Sequence, residues 1–480
     1  MQRSDVITTG FFWLLSGTVV QNLAKILIVA ILSRLIAPEV FGVIAIALSF
    51  IGLSELLTQL SLSQALVTLK FVTESHKRVA FTFSILSTLV LSILSISVVN
   101  PIISTFYNYP GLLEVLNVLV ITYPIRGFSM LSFALLQRDK RFKELAGLET
   151  VSYIIGYGIL SIILAYLGWG VWSLVIGTIA SSLINSLLLY SRVRFRISFA
   201  FHYSSFRDLF SFGSKFSLIK LINYGALKGD YLVIGKVLGA YDVGLYSRAY
   251  ALMDSVNSIV GKVLNTVLLP VFAEINDKDE SNNLTLKILA VIFNLLIPLA
   301  VLLIIYSKYV IGLILGDEWL GATLIFQIIM TAMVARVGYK TISTILIGVG
   351  KINVNLKVQV IYLSLVILLS FLGSFYFGLV GAAAGVTIAI NIIFVIFLTV
   401  KIRISSLNWL SVLRSTKSGL LLAILCVVIN SPLYYYFSEY SYFLLLALVI
   451  NLFVLLIVIA YFKSFFFEKI LIGSFNKIYK

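Results

Sequence analysis

Apolar stretches of twenty or more residues, each closed by a short polar turn, recur along almost the whole chain. A helix of about twenty residues rises roughly 30 Å, which is the thickness of a bilayer's hydrocarbon core. Read in windows of about nineteen residues, the pattern predicts helices over 10–34, 40–68, 79–100, 111–136, 146–167 and 171–191, and a second set over 209–236, 240–270, 284–306, 321–348, 353–376 and 378–400. A last pair follows over 417–437 and 442–463, making fourteen spans. The seventh and eighth are only weakly apolar, because they carry Lys215, Lys220, Lys228, Asp230, Arg248, Asp254 and Lys262. A hydropathy scan alone passes over such segments, but their length suits a crossing.

The polar positions inside these stretches are ordered. In the first span Thr18, Gln21, Asn22 and Lys25 fall at i, i+3, i+4 and i+7, which draws one polar stripe along an otherwise apolar helix. Glu55, Gln59 and Ser63 do the same in the second span, and Ser217, Lys220, Tyr224 and Lys228 in the seventh. In the eighth, Arg248, Ser255 and Lys262 recur every seven residues beside Asp254, Ser258 and Asn265. The fold class is therefore an all-α polytopic membrane protein.

Composition agrees, with 60% hydrophobic and 12% charged residues. The net charge of +16 could suggest nucleic acid, but its placement argues for membrane topology instead. Of the 36 lysines and arginines, 24 fall in one alternate set of loops and in the termini, and only Arg34, Lys236 and Lys308 fall in the other set. The positive-inside rule then puts both termini in the cytoplasm and leaves no call for a nucleic-acid partner. The first apolar run is too long for a signal-peptide core and is expected to remain as a span. The single cysteine, Cys426, excludes an internal disulfide or a cysteine metal cluster. His76 and His202 lie in loops, and no HExxH, GxSxG, Walker or GxGxxG pattern occurs, so an enzyme is not expected.

An internal repeat runs through the chain. Arg34-Leu-Ile-Ala-Pro-Glu-Val-Phe-Gly42 aligns with Lys236-Val-Leu-Gly-Ala-Tyr-Asp-Val-Gly244. Gln137–Glu144 aligns with Gly348–Asn355, setting Lys140 over Lys351, and the Gly168-Trp-Gly-Val-Trp172 turn aligns with Gly378-Leu-Val-Gly-Ala382. Six crossings return a chain to its starting side, so the copies share an orientation and a pseudo-two-fold axis along the membrane normal is expected. The predicted division is an N-terminal six-helix lobe over 1–200, a second over 201–405, and a helix pair with a cytoplasmic tail over 406–480.

Nine cations remain inside the spans: Lys25, Arg126, Lys215, Lys220, Lys228, Arg248, Lys262, Arg336 and Lys340. Facing lipid, they would cost on the order of 20 to 30 kcal/mol together. The well-buried acids, Glu55, Asp230 and Asp254, are too few to pair them all, since Glu114 and Glu149 sit near span ends. Even with Lys215 and Lys228 snorkelling, a cationic cavity is expected, and its ligand should be anionic with apolar and polar parts. A pyrophosphate-linked lipid fits.

Over essentially its whole length the chain resembles the Wzx-type polysaccharide flippases of the multidrug/oligosaccharidyl-lipid/polysaccharide superfamily. The resemblance is carried by the two aligned turns above, by Asp230 through Tyr246, by Asn265-Thr-Val-Leu-Leu-Pro270-Val-Phe-Ala273, and most of all by Ile314-Leu-Gly-Asp-Glu-Trp-Leu-Gly-Ala322, which looks like the colanic-type exporter branch. It implies two six-helix lobes and a further helix pair in a bacterial cytoplasmic membrane. The implied cargo is an undecaprenyl-pyrophosphate-linked oligosaccharide, moved to the outer leaflet for surface polysaccharide such as O-antigen, with polysaccharide polymerase machinery as a candidate partner. It also implies a cavity lined by spans one, two, seven and eight. Lys25, Lys220, Arg248 and Lys262 are the expected pyrophosphate ligands, with Arg126, Lys215, Arg336 and Lys340 as further cavity cations. No nucleotide site is present, so the cycle needs an ion gradient or membrane potential. H+ or Na+ acting at Glu55 and Asp254 is the expected coupling, with no metal or organic cofactor. The alternative, a small-molecule antiporter of the related drug-efflux branch, needs buried acids to attract cationic drugs, and the surplus here has the opposite sign.

Overall fold

Glycines at positive φ, a conformation other residues rarely adopt, mark places where the chain turns back, and several occupy matching positions in its two halves. The computed structural model describes residues 20–59, 65–67, 69, 71–195, 197–200, 202–275, 277–405 and 407–437. The side chains of Glu55, Lys215 and Lys262 lie outside that description.

The first half contains α1 (20–35), α2 (Pro38–Gln59), α3 (Glu74–Tyr107), α4 (Leu112–Arg138), α5 (Phe142–Tyr166) and α6 (Val171–Arg192). The second contains α7 (Tyr203–Val237), α8 (Ala240–Glu274), α9 (Lys278–Ile305) and α10, which is Asp317–Thr331 continued by Met333–Gly348 after a 44° bend. Ile352–Ser405 is a helical hairpin turned at Gly378, and its arms are α11 (352–377) and α12 (379–405); α13 is Trp409–Phe437. No strand occurs among the described residues. Seven of these runs are long and apolar enough to cross a membrane by composition, with bent α10 as an eighth. The long helices α7 and α8 are not among these runs, which are drawn from the described residues. The span expected over 442–463 lies outside the described residues, as does the start of the first.

Local chemistry fixes several ends. The Thr73 side chain accepts from the His76 amide and caps α3, and Asp277 accepts from the Asp279 and Glu280 amides at the start of α9. In packing, α3, α5 and α6 gather around α4, with α5 also against α6, α7 lies on α11, and α9 lies on α13. Helix α2 packs against α7 and α8, so one apolar core runs from Leu32 and Phe41 through Tyr246 and Met253 to Trp319 and Met330.

The repeat is written into the backbone. Helix α2 begins at Pro38 and α8 at Ala240, with the alignment the sequence gives. A Cβ placed on Gly42 would collide with the Ala240 carbonyl, and one on Gly244 would collide with the Pro38 carbonyl. Each copy's glycine thus receives the first residue of the other copy's helix, the reciprocal contact that a two-fold axis between them requires. At the other two matches the structure shifts the register. Helices α4 and α10 end in the same Schellman motif, with Lys140 (φ 57°) and Gly350 (φ 77°) left-handed. The Arg141 amide bonds the Leu136 carbonyl at 3.0 Å and the Lys351 amide bonds the Leu346 carbonyl at 2.8 Å. Arg141, not Lys140, is therefore the counterpart of Lys351. Likewise Gly170 (φ 51°, ψ −124°) and Gly378 (φ 60°, ψ −149°) open α6 and α12 with nearly the same backbone, so Gly170 rather than Gly168 corresponds to Gly378. Sequence pairing slips by one or two residues at such sites because apolar neighbours give the alignment little to hold.

Candidate functional site

Two chambers of about 480 and 420 Å³ lie within the helices and share Lys25, Arg126, Tyr153, Ser181 and Ser182 as common wall. The first is walled by the polar stripe of α1 (Asn22, Lys25), by Arg126 of α4, Tyr153 and Tyr157 of α5, Thr178, Ser181 and Ser182 of α6, and Arg248, Asp254, Ser255 and Ser258 of α8. Asn22 accepts from Ser258 at 2.9 Å, which ties the α1 stripe to α8 of the other half. The second chamber adds Gln21, Ser129, Phe133, Glu149, Ser152 and Asn185. Gln21 precedes Lys25 on α1 and Phe133 follows Arg126 on α4, so this chamber lies nearer the side of the basic loops.

The cations differ in what they touch. Lys25 Nζ lies 5.8 Å from the centre of the Tyr153 ring, and Arg126 donates to Ser182 Oγ at 3.3 Å through both Nε and Nη2. The Arg248 guanidinium lies 4.4 Å over the face of Phe41. Among the described residues no carboxylate pairs with Arg248, and its buried Nε has no acceptor. Such a group favours an anion in the chamber.

Arg336, Lys340 and Lys220, also expected at the site, are placed elsewhere. Arg336, 2% exposed, lies 4.6 Å from the centre of the Tyr250 ring and reaches Asp254 at 3.2 Å. Asp254 faces the first chamber on its other side, while Arg336 and Lys340 stand outside both chamber walls. Lys220 is exposed on α7 and also stands outside both walls. The positions of the Lys262, Lys215 and Glu55 side chains lie outside the described residues. Asp230 is fully buried and accepts from the Tyr246 hydroxyl at 2.7 Å and from the Tyr231 amide at 2.9 Å. Lys228 Nζ sits 4.2 Å from the centre of the Tyr231 ring.

Among the described residues, the helices lining the chambers are thus mainly α1, α4, α5, α6 and α8, with Leu48 from α2 and none from α7. The walls contributed by α5 and α6 were not foreseen from the sequence. A signal existed: Thr178, Ser181, Ser182 and Asn185 stand at i, i+3, i+4 and i+7, the same stripe that marks α1. Glu149, expected near a span end, borders the second chamber.

On the side of the weakly charged loops the two halves are tied shut. Trp319 is fully buried, donates from Nε1 to the Ser33 carbonyl at 2.7 Å and packs edge-on against Phe41, 5.5 Å between ring centres. Arg34 donates to the Leu313 carbonyl at 2.7 Å, Tyr107 to the Leu232 carbonyl at 2.9 Å, and Tyr109 to the Gly235 carbonyl. On the basic side α3 meets α7 through Ser75 and Ser205, 2.9 Å apart, and His76 and Asp208, 3.6 Å apart. Among the described residues no cluster of three or more histidine, cysteine, aspartate or glutamate side chains could hold a metal.

The family profile described as polysaccharide biosynthesis protein matches residues 31–324. The chain is 21% identical to lipopolysaccharide biosynthesis protein WzxC of Escherichia coli, over 84% of this chain and 82% of that one. It is 26% identical to succinoglycan biosynthesis transport protein ExoT of Rhizobium meliloti, over 62% and 60%. Among solved structures, the lipid II flippase MurJ in an inward closed conformation superposes with a TM-score of 0.77 at 17% identity, covering 94% of this chain and 99% of MurJ. A multidrug resistance MATE family transporter of the MOP superfamily, in an inward-facing conformation, gives 0.64 at 16%, covering 80% and 95%.

Proposed function

Since the chain belongs to the polysaccharide biosynthesis protein family and is a multi-pass helical membrane protein, we propose that it is a flippase. It carries undecaprenyl-pyrophosphate-linked oligosaccharide from the cytoplasmic to the outer leaflet of the bacterial cytoplasmic membrane. Relatives named for lipopolysaccharide biosynthesis, succinoglycan transport and O-antigen transport support this cargo class.

The observation that carries the reading is Arg248, a guanidinium at a chamber wall with no carboxylate partner among the described residues, beside Lys25 and Arg126. Among the described residues, three cations against Asp254 in the first chamber suit a diphosphate and disfavour a cationic drug. The diphosphate enters from the basic, cytoplasmic side, where both termini lie, is held by these three groups, and crosses as the halves rock about the Gly42 and Gly244 contact. The isoprenoid tail stays in lipid. Asp254 is the acid at which H+ or Na+ would couple, since neutralising it changes both the chamber charge and the grip on Arg336.

The test is the leaflet distribution of labelled lipid-linked oligosaccharide in cells with and without the protein. Accumulation in the cytoplasmic leaflet with intact synthesis is the expected result. Unchanged appearance in the outer leaflet would overturn the proposal, and altered drug tolerance alone would point to antiport.

A further inference from the structure

The second chamber differs from the first in chemistry. Away from the shared Lys25 and Arg126, its polar wall is built from Gln21, Ser129, Ser152 and Asn185, with Glu149 as its one acid among the described residues. Amides and hydroxyls of this kind bind neutral polar groups that both donate and accept. The Asn185 side-chain oxygen is buried and has no donor among the described residues, so the chamber holds an acceptor waiting for a hydrogen bond.

The backing of this wall is aromatic and rigid. Tyr153 and Tyr157 stack at 5.1 Å between centres and 19° between planes. They lie on a π-helical stretch, Tyr153–Leu160, inside α5. A π-helical turn inserts an extra residue into the helix and tends to be kept where it aims a side chain at a functional site. Here two glycines let the wider helix sit close to its neighbours. Gly156 abuts the Ser181 backbone of α6, and Gly158 abuts the Ile28 side chain of α1. The ring of Tyr153 is thereby fixed at the junction of the two chambers, beside Lys25.

An aromatic ring flanked by amides and hydroxyls, one of them unsatisfied, next to a cationic cluster, is what a sugar ring attached to a diphosphate needs: an apolar face to lie on and partners for its hydroxyls. We propose that the second chamber is a saccharide subsite, in which the first sugar of the cargo packs on Tyr153 and donates a hydroxyl to Asn185, while its diphosphate lies at the junction by Lys25 and Arg126. This rests on the flippase reading and adds to it the residues that read the sugar.

The experiment uses the full chain in lipid nanodiscs and compares binding of bare undecaprenyl pyrophosphate with undecaprenyl pyrophosphate carrying one glucose, galactose or N-acetylglucosamine. Asn185→Leu should weaken the best sugar-bearing probe about tenfold and leave the bare lipid unchanged, whose retained binding also reports that the variant folds, and Tyr153→Ala should weaken the sugar-bearing probe more than the bare lipid. Tyr153→Phe, which keeps the ring, should bind like the parent, and Arg248→Ala should weaken both kinds of probe alike. If the parent binds every probe no better than the bare lipid, or if Asn185→Leu and Tyr153→Ala affect both kinds equally, the saccharide subsite is wrong while the flippase reading stands. If the parent binds no probe at all, both fall.

Discussion

Trp319 hangs its indole N–H on the Ser33 carbonyl, 2.7 Å away, so one buried ring from the start of α10 joins the end of α1 and closes the chambers on the weakly charged side. Replacing Trp319 with phenylalanine keeps most of the packing and removes a hydrogen bond of about 1 kcal/mol. A shift of that size raises the population open on that side by roughly fivefold. A cysteine at Ser255, in the first chamber, should then react faster with a membrane-impermeant thiol reagent added from outside the cell. Equal labelling rates would show that the ring does not latch the halves.

Gly42 and Gly244 give a second handle on the same closure. A methyl at either position runs into a backbone carbonyl of the opposing helix, which cannot rotate away as a flexible side chain would. Gly42→Ala and Gly244→Ala should therefore both abolish export while the protein remains in the membrane, and by similar amounts, because the contacts are reciprocal. Wild-type export by either variant would sink the idea that this crossing must close in each cycle.

The reciprocal glycines also show what the sequence could and could not reveal. The copies were recognisable at Gly42 and Gly244 because Pro38, Gly42 and Gly244 mark helix starts whose chemistry is distinctive. Helices α7 and α8 were recognisable from polar stripes, and Arg248, Asp254, Ser255 and Ser258 of the α8 pattern do face a chamber. The walls from α5 and α6 were harder to see, because hydroxyls and tyrosines within apolar helices carry no charge to announce a solvated face. The resemblance and the buried charge also placed Lys220 with Lys25 and Arg248, whereas Lys220 is exposed on α7 and stands outside both chamber walls.

Arg336 and Asp254 form an ion pair with one side deep in protein, 2% exposed, and the other 47% exposed towards the chamber. Asp254→Asn strands the buried guanidinium, and since the acid is half-exposed the loss should be about 2 kcal/mol rather than the larger figure for a fully buried pair. Pairing Asp254→Asn with Arg336→Met removes the stranded charge and should restore most of the stability. Thermal unfolding in detergent measures both. If the double variant is no more stable than Asp254→Asn alone, the pair is not what holds α8 to α10 here.

Lys25, Arg126 and Arg248 share a chamber wall and Lys220 does not, so charge and position can be separated by experiment. A charge-assisted hydrogen bond to a diphosphate is worth about 1.5 to 3 kcal/mol, so alanine at any of the three should reduce affinity about 10- to 100-fold and sharply cut surface polysaccharide. Lys220→Ala removes the same formal charge from the membrane-spanning region without touching the chamber, and it should leave export near normal. Arg248→Lys is the finer test. It keeps the charge but loses the planar group that lies over Phe41 and can bind a phosphate through two parallel N–H groups, so it should retain only part of the activity. If Lys220→Ala proved as damaging as Arg248→Ala, the total charge of the membrane region, and not this chamber, would be what the cargo senses.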